Sequence, residues 1–395
     1  MSSEPSSQDR PGAVRLAAFS SDASESAQIR RMRSYLEAGF DVVGFMFRRS
    51  NINRDFEPFW DNVPLGTTEN ENPVGRLIAI ARGIRTTFAR RDRLARTDVF
   101  VARNLDMLIL AGVARLFVRP RPALVYECLD IHTLMSARGA KGALVRAVER
   151  VLLARTASLV VSSPAFVSEY FEPMQGWRGP VALVENKVRV EGAAAVRPAP
   201  PSSEAPPEWT PEAPLVLGWV GSLRCPASLD ILVAFADHWG PRVRLEFHGA
   251  VHRHALPDFD EVVDARDNIT WHGAYDYPDD LARIYTSLDV VWSQDLWQYG
   301  ENSTWLLPNR IYEASYYGCP SIAVQGTETG RRVAAGLGWS IEDASAESLV
   351  VLVESLRPSD VQAKRAEILA RPDGEFLEGR DEIAAAIRSA LDGRN

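Results

Sequence analysis

Residues 14–47 read VRLAAFSSDASESAQIRRMRSYLEAGFDVVGFMF, and this stretch indicates the fold class. The apolar run 14–19 is typical of a buried strand, and 27–38 has apolar residues at helical spacing, closed by Gly39. The run 41–47 is short and apolar, as a second buried strand would be. A strand, a helix and a strand in this order form a βαβ unit with parallel strands. The stretch therefore predicts an α/β protein built on a parallel sheet.

The alternation of strands and helices continues along both halves of the chain. Short apolar runs predict further buried strands at 98–102, 123–127, 159–163 and 181–186, and at 215–221, 243–249, 269–273, 289–293 and 320–324. Two repeating halves predict two doubly wound, Rossmann-like domains. Ligands of such domains bind beyond the carboxyl ends of the strands, here in a central cleft that the two domains face.

A proline-rich stretch separates the two halves. Residues 193–214 hold seven of the 25 prolines, and this composition is typical of a linker. The predicted organisation is a disordered N-terminal tail over 1–12, a first domain over 13–192, the linker over 193–214, a second domain over 215–370, and a C-terminal helix within 371–395 that packs back on the first domain.

Composition narrows the class of protein. Hydrophobic residues make up 46% and charged residues 24% of the 395 residues, which is ordinary for globular domains. The net charge of −8 argues against a protein that coats nucleic acid. Cys128, Cys225 and Cys319 are far apart, which argues against a zinc ribbon or a disulfide scaffold and suits a reducing cytoplasm. Without a long apolar run, we expect no membrane-spanning segment.

Several segments carry a resemblance to a known family. Residues 308–323, PNRIYEASYYGCPSIA, are similar to the donor-site signature of GT-B glycosyltransferases. Further motifs of that family resemble Gly218-Trp-Val-Gly-Ser-Leu223, Asn268-Ile-Thr-Trp-His-Gly273, and the pair 27–30 and 39–42. The chain thus resembles family 4 of these enzymes over residues 14–357, and within it the bacterial exopolysaccharide, succinoglycan-type branch.

The resemblance implies a metal-independent glycosyltransferase with the GT-B fold. Such an enzyme moves a sugar from a nucleoside diphosphate sugar, its co-substrate, to a glycan, lipid-linked or small-molecule acceptor, and needs no other cofactor. The first domain then binds the acceptor and the second binds the nucleotide sugar. Eight positions before Glu313, where many members of family 4 have another glutamate, this chain has Trp305. That departure favours an inverting rather than a retaining transfer.

The candidate donor-binding residues follow strands or begin a helix in the second domain. They are Gly221, Ser222, Arg224, His248, Ser303, Thr304, Asn309, Arg310 and Glu313. A helix that begins near Pro308 offers free N–H groups and a positive dipole to phosphate, and arginine adds bidentate hydrogen bonds. The Ser and Thr hydroxyls donate hydrogen bonds, Glu313 accepts from ribose hydroxyls, and Gly221 permits close backbone approach. Helix capping and solvated arginines are the alternative for these residues.

Asp130 and His132 are the candidate catalytic residues, because they follow the predicted strand 123–127 at its carboxyl end. An inverting transfer needs a base that accepts the proton of the acceptor hydroxyl. For His132 the alternative is a capping or core role, and we expect the preceding Glu127 to be structural.

The segment after the first strand is the expected acceptor side. Ser21 and Asp22 lie in the loop 20–26, SSDASES, and Arg30 lies on the helix that follows. A run of helix-capping residues is the alternative explanation for this loop.

Two further clusters allow more than one interpretation. His248, His252 and His254 have the spacing H-x3-H-x-H, but a metal site needs a complete and fixed ligand set, so we expect no metal. Four aromatic residues lie in or beside one loop, and they either contact sugar or base or pack on the core: Trp292, Trp297, Tyr299 and Trp305.

An arginine-rich stretch extends from residue 76 to residue 121. It holds eleven arginines against three aspartates, with apolar residues between them. A basic amphipathic surface suits anionic lipid headgroups, and a solvated helix face is the alternative. We therefore expect a cytoplasmic enzyme that binds peripherally at the inner face of the plasma membrane and has no nucleic-acid partner.

Two other functions fit the same motifs. A GT-B-fold nucleotide-sugar 2-epimerase would bind the same co-substrate, and so would a non-catalytic nucleotide-sugar-binding subunit. Sugar transfer or hydrolysis, sugar interconversion, and binding without turnover distinguish the three functions.

Overall fold

The computed structural model describes residues 13–49, 56–68, 73–201, 206–379 and 381–392. The chain forms two compact units. The first unit comprises the residues up to 185 together with those from 379 onward, and the second comprises 186–378. The predicted disordered tail, 1–12, lies outside the described residues.

Within the described residues, the first unit contains a parallel sheet of seven strands in the order β3-β2-β1-β4-β5-β6-β7. Its strands are β1 (Arg15–Ser20), β2 (Asp41–Arg49), β3 (Asp61–Thr68), β4 (Val99–Arg103), β5 (Ala123–Cys128), β6 (Ser158–Val161) and β7 (Val181–Leu183). The chain adds strands on one side of β1 and then on the other, which is the doubly wound arrangement. The predicted fold class is confirmed for this unit.

Helices connect these parallel strands. They are α1 (Ser26–Glu37), α2 (Pro73–Ala89), α3 (Asn104–Ala114), α4 (Thr133–Ser136), α5 (Ala140–Leu153), α6 (Pro164–Phe166) and α7 (Glu172–Gln175). Helices α2, α3 and α5 pack side by side, with α3 in the middle.

The end of α1 shows how the sequence sets the first crossover. Gly39 has a φ of +84°, a left-handed conformation that glycine adopts without strain. Its N–H donates to the carbonyl of Leu36, and the N–H of Phe40 donates to that of Tyr35, which is the Schellman pattern. The rings of Tyr35 and Phe40 pack at 6.3 Å. The helix therefore stops where the chain must turn into β2.

The second unit contains, among the described residues, a parallel sheet of six strands in the order β10-β9-β8-β11-β12-β13. The strands are β8 (Leu215–Val220), β9 (Val243–His248), β10 (Ile269–Trp271), β11 (Val290–Trp292), β12 (Ser321–Val324) and β13 (Gly338–Ile341). The helices are α8 (Pro226–Trp239), α9 (Phe259–Asp264), α10 (Leu281–Ser287), α11 (Asn302–Trp305), α12 (Asn309–Tyr316), α13 (Glu328–Ala334), α14 (Ala346–Ser355) and α15 (Pro358–Leu369). Strand order reverses beside β8, so this sheet is doubly wound as well.

A last helix, α16 (Glu382–Asp392), belongs to the first unit. It contacts α1, β5 and β6. Ile383 and Ile387, one turn apart, are fully buried in the core of that unit. The apolar face of α16 therefore fixes the C-terminal segment against the first sheet.

The change from the first to the second unit lies earlier than the predicted linker 193–214. It falls between residues 185 and 186. The N–H of Val188 donates to the carbonyl of Phe376 at 2.9 Å, and the hydroxyl of Tyr316 donates to the carbonyl of Ala195 at 2.6 Å. Residues before and within the proline-rich stretch are thus bound to the second unit, because α12 and the segment after α15 supply partners for their backbone.

The sequence pattern predicts neither β3 nor β13. Both are edge strands with few apolar residues. β3 reads DNVPLGTT and β13 reads GWSI. An edge strand needs backbone partners on one side only, so it tolerates proline, glycine and polar residues.

The described residues hold no helix with both the length and the hydropathy that crossing a membrane requires.

Candidate functional site

The turn after β8 brings two backbone segments unusually close at the carboxyl edge of the second sheet. The N–H of Gly221 donates to the carbonyl of His248 at 2.9 Å, and the N–H of Gly249 donates to that of Gly273 at 2.7 Å. A Cβ on Gly249 would lie 1.8 Å from the carbonyl oxygen of Gly221, and Gly221 and Gly249 both have positive φ. Only glycine fits at these positions, so the turn exposes backbone groups rather than side chains.

Arg310 reaches from α12 to this turn. Its Nη1 donates to the carbonyl of Trp292, the last residue of β11, at 3.4 Å. Its Nη2 lies 3.7 Å from the point where a Cβ on Gly221 would stand. Pro308 is the N-cap residue of α12 and Asn309 is its partly buried first residue. The guanidinium, the glycine turn and the first turn of α12 therefore meet at one edge of the sheet.

Glu313 lies one turn further along α12 and is only 5% exposed. Its Oε2 accepts a 3.0 Å hydrogen bond from the hydroxyl of Tyr285 on α10. Burial and the Glu313 carboxylate raise the pKa of Tyr285 and that of Tyr275, while Arg310 opposes the increase in both. The four side chains form one electrostatic cluster. The sequence motifs predict Glu313 and Arg310 as site residues, but they predict neither tyrosine.

Arg224 pairs with an acidic residue that the sequence motifs do not predict. Its Nη2 lies 3.4 Å from Oδ2 of Asp295, which follows β11. Oδ1 of Asp295 accepts a 2.5 Å hydrogen bond from the hydroxyl of Ser303. A polar residue two or three positions beyond a buried strand was the signal for Asp295, because the carboxyl ends of parallel strands share one edge.

Ser303 and Thr304 lie in α11 and accept hydrogen bonds from the loop that precedes this helix. The backbone N–H of Gln298 donates to the Ser303 hydroxyl oxygen, and that of Gly300 donates to the Thr304 hydroxyl oxygen, both at 2.8 Å. These hydroxyls serve as internal partners of the loop, so their predicted role as donors to a ligand stays a prediction.

His248 and His252, which lie close together in the sequence, have different partners in the structure. The Ser222 hydroxyl and Nε2 of His252 are joined by a 2.7 Å hydrogen bond. His248 instead stacks on His272, with ring centroids 4.4 Å apart. Burial, with His272 and Arg283, lowers the pKa of His248 to about 4, against the effect of Asp280. His248 is therefore neutral near pH 7.

One group of side chains has the composition of a metal site. Potential ligand atoms of Glu246, His248 and His272 lie within 4.8 Å of one another. Glu246 also accepts from His272 and forms a 2.7 Å ion pair with Arg244. The Glu246 carboxylate therefore already has a cationic partner, and the expectation that no metal binds here stays a prediction.

Asp130 and His132 follow β5 at the carboxyl edge of the first sheet, and both are exposed. Nδ1 of His132 accepts a hydrogen bond from the N–H of Leu134, which makes His132 the N-cap of α4. The neutral ring then holds its proton on Nε2, so neither nitrogen is available as a base while the cap persists. The capping alternative for His132 is what the structure shows.

Glu127 is buried in an ion-pair cluster just before these residues. It accepts from Nε of Arg31 at 2.8 Å and from Nε of Arg103 at 3.3 Å. Burial raises the pKa of Glu127, but the guanidiniums of Arg103 and Arg31 outweigh it, so that the net pKa is lowered. Glu127 is buried and paired with two arginines, as its expected structural role requires.

Of the three predicted acceptor-side residues, Ser21 and Asp22 follow β1 and Arg30 lies on α1. Asp22 is buried, and its Oδ1 accepts from the N–H of Ser24 at 3.0 Å and from its hydroxyl at 2.7 Å. Ser21 and Arg30 are partly buried. The structure thus gives Asp22 a loop-closing role, and a contact of these residues with an acceptor stays a prediction.

Two doubly wound units, one carrying an arginine, a glutamate and a glycine turn at the carboxyl edge of its sheet, form the arrangement of the GT-B class of enzymes. No protein-family model matches the chain. The chain is 35% identical over 370 residues to the succinoglycan biosynthesis protein ExoL of Rhizobium meliloti (strain 1021), an alignment that covers 93% of this chain and 91% of ExoL. The chain belongs to the ExoL family of exopolysaccharide-type GT-B glycosyltransferases.

Solved structures share the fold at low sequence identity. Alr3699/HepE of Anabaena, solved in complex with UDP and glucose, superposes with a TM-score of 0.64 at 12% identity, covering 95% of this chain and 98% of that one. A protein assigned as a UDP-N-acetylglucosamine 2-epimerase from Listeria monocytogenes superposes with a TM-score of 0.57 at 11% identity, covering 96% and 97%. The fold alone therefore accommodates both activities, whereas the relationship to ExoL extends over nearly the whole sequence. This chain is a glycosyltransferase of polysaccharide biosynthesis.

Proposed function

We propose that the second unit of this glycosyltransferase binds a nucleoside diphosphate sugar and that the first unit binds a glycan or lipid-linked acceptor. The observation that carries the proposal is the convergence of Arg310, the Gly221 turn and Glu313 at the carboxyl edge of the second sheet. This edge is where doubly wound sheets bind their ligands.

The negatively charged diphosphate needs positively charged partners. The carboxyl edge of the second sheet offers arginine side chains and backbone N–H groups. Arg310 and Arg224 carry full charges, and their planar guanidiniums match phosphate oxygens bidentately. The N-terminal N–H groups of α12 and the backbone of the turn after β8 add partial positive charge. Asp295 pairs with Arg224 at 3.4 Å, and a diphosphate would take over part of that ion pair.

Glu313 is the proposed partner of the ribose hydroxyls. Tyr285 orients its carboxylate, and its low exposure makes its hydrogen bonds with a ligand strong. A hydrogen bond to a charged acceptor contributes more binding free energy than one to a neutral acceptor.

Asp130 is the proposed base, in preference to His132. In an inverting transfer its carboxylate accepts the proton of the acceptor hydroxyl, the acceptor oxygen bonds to the anomeric carbon, and the bond from that carbon to the diphosphate breaks. The nucleoside diphosphate leaves with the electron pair. Asp130 is an exposed carboxylate just after β5. The ring of His132 serves as a helix cap.

The proposed reaction uses no metal ion. Arginines and the start of α12 supply the electrostatic stabilisation of the leaving diphosphate. We expect turnover to be unchanged by EDTA. Activity that is lost with EDTA and restored by a divalent ion, and that is also lost in His272→Ala, would instead assign a metal to Glu246, His248 and His272.

The relatives suggest the substrates to test first. ExoL is a succinoglycan biosynthesis protein, so a growing exopolysaccharide is the proposed acceptor. HepE was solved with UDP and with UDP-glucose, so a uridine diphosphate sugar is the first donor to test.

We also propose that the first unit binds an anionic membrane at the cytoplasmic face. Leu77, Ile78 and Phe88 are exposed on α2 beside the exposed Arg82 and Arg85. Apolar and cationic side chains on one helix surface favour the interface of an anionic bilayer.

The decisive experiment is incubation with a panel of nucleotide sugars, with and without a polysaccharide acceptor fraction. Transfer, or slow hydrolysis without acceptor, supports the proposal. Interconversion of UDP-N-acetylglucosamine to its 2-epimer without acceptor would favour the epimerase alternative, and binding without any turnover would contradict the proposed catalysis.

A further inference from the structure

The loop between β11 and α11 exposes two large aromatic side chains. Trp297 is 42% exposed and Tyr299 is 51% exposed. The ten tryptophans all lie in the described residues, and Trp297 is the one left exposed, while the other nine are buried or half-buried. Water-exposed aromatic area is unfavourable, so this loop bears a feature that the fold itself does not use.

The loop is held in shape by its own hydrogen bonds. The N–H of Trp297 donates to Oδ1 of Asp295 at 2.9 Å, and the same carboxylate oxygen accepts from Ser303. The N–H of Tyr299 donates to the carbonyl of Leu296. Because these bonds hold the backbone beside each ring, the loop would lose little conformational entropy when a ligand binds.

The same loop is joined to the proposed donor site. Asp295, which anchors the backbone of Trp297, pairs with Arg224 of the turn after β8 at 3.4 Å. Ser303 ties the other end of the loop to Asp295. The loop that carries the two rings is therefore anchored by Asp295, the same residue that pairs with Arg224, a proposed phosphate-binding arginine.

The chemistry of this surface suits a saccharide better than a protein partner. Along the loop the two rings alternate with Gln298, Gly300 and Glu301, and the preceding Leu296 is buried. The loop itself therefore offers no extended apolar patch of the kind that a protein interface has. A pyranose has one face of C–H groups and a rim of hydroxyls. The rings can cover the C–H face while neighbouring polar groups meet the rim.

We propose that Trp297 and Tyr299 form a stacking platform for a pyranose ring of a substrate of this glycosyltransferase. The inference rests on the proposed donor site in the second unit. The pyranose belongs either to the nucleotide sugar or to the saccharide acceptor, and the test separates the two sources.

The test is collisional quenching of tryptophan fluorescence by acrylamide. Trp297 supplies the readily quenched component, so a pyranose stacked on it reduces quenching. Probes are nucleoside diphosphates, the matching nucleotide sugars, and methyl glycosides and disaccharides added with the nucleoside diphosphate. Trp297→Phe should abolish the protection, whereas Trp339→Phe, which removes a half-buried tryptophan of β13, should retain it.

Protection by a nucleotide sugar beyond that by its nucleoside diphosphate assigns the platform to the donor sugar. Protection by free saccharides assigns it to the acceptor. In either case Trp297→Ala and Tyr299→Ala raise KM for that substrate about tenfold, or about 1.4 kcal/mol, with kcat little changed, and Tyr299→Phe restores KM.

Equal protection by nucleoside diphosphate and nucleotide sugar, without any effect of free saccharides, would overturn the inference. So would unchanged quenching when calorimetry shows nucleotide binding. Failure of every nucleotide to bind in calorimetry is a separate result, because it removes the proposed donor site as well.

Discussion

The hydroxyl of Tyr285 donates a 3.0 Å hydrogen bond to Oε2 of Glu313, inside the second unit. The two residues lie on α10 and α12, and Tyr285 is fully buried. Burial and the carboxylate keep the pKa of Tyr285 well above its usual range, so the phenol remains a donor. This hydrogen bond therefore orients the Glu313 carboxylate.

Replacing Glu313 should weaken nucleotide-sugar binding. Glu313→Ala removes a charged acceptor, so we expect a loss of about 1.5–3 kcal/mol in binding free energy. Tyr285→Phe should cost less, about 1 kcal/mol, because it removes only the group that orients the carboxylate. Titration calorimetry measures both. Glu354→Ala, at an exposed position on α14, is the control, and an unchanged Kd for a folded Glu313→Ala protein would contradict the assignment.

The buried cluster of Glu127, Arg31 and Arg103 should dominate the stability of the first unit. Glu127→Ala leaves two guanidiniums buried beside each other without their carboxylate, which should cost about 3–5 kcal/mol of unfolding free energy. The matched control is Asp41→Ala. Asp41 pairs with Arg15 at 3.4 Å in the same unit but is about one-third exposed, so its loss should cost about 0–1 kcal/mol. Urea denaturation compares the variants, and equal losses would show that burial does not strengthen the cluster.

Glu149 should make the first unit less stable as the pH rises. Burial raises the pKa of Glu149 from 4.5 to about 7, although hydrogen bonds from Tyr170, Tyr126 and Gln175 oppose the increase. The folded protein thus keeps a proton that the unfolded chain loses. The stability contributed by this group is fully present below about pH 4.5 and is lost as the pH rises through about 7.

Glu149→Gln should remove that pH dependence, because the amide does not titrate. Relative to wild type, the variant should gain up to about 3 kcal/mol between pH 4.5 and 7. Thermal melting across this range measures the difference. Parallel pH curves for the two proteins would show that Glu149 titrates normally.

How much of this could be predicted from sequence depends on the distance over which residues interact. The Gly39 helix end, the Gly221 turn and the Glu313 helix depend on neighbours within a few positions, and local spacing predicts them. The partners Tyr285 of Glu313 and Asp295 of Arg224 are 28 and 71 positions away, and only the fold brings them together.

Whether His132 caps a helix or takes part in catalysis also depends on the three-dimensional structure. For His132 the sequence allows either role, since a residue before a short helix can cap it or face a ligand. The N–H of Leu134 decides the matter by using Nδ1. Edge strand β3 (Asp61–Thr68) escaped prediction because proline and glycine are tolerated where one side of a strand has no partner.

The first unit should bind anionic vesicles through α2. Each basic residue near such a surface contributes about 1 kcal/mol, so Arg82→Gln with Arg85→Gln should reduce partitioning roughly 30-fold. Cosedimentation with phosphatidylglycerol vesicles measures this, and added salt should weaken it. Arg331→Gln with Arg357→Gln, two exposed arginines of the second unit, is the matched control. Equal partitioning onto phosphatidylcholine vesicles would indicate that the α2 arginines are only solvated.

Removal of the proposed base should abolish most turnover without weakening donor binding. Asp130→Asn keeps the size of the side chain but cannot accept the proton of the acceptor hydroxyl, so kcat should fall by at least about a hundredfold. Donor Kd should stay the same, since Asp130 belongs to the first unit and the proposed donor site to the second. His132→Ala, which removes only the cap of the four-residue helix α4, should reduce kcat far less. The anomeric configuration of the product, read by NMR, should be opposite to that of the donor. A product with the donor's configuration, made at full rate by Asp130→Asn, would show that the transfer retains configuration and that Asp130 does not act as its base.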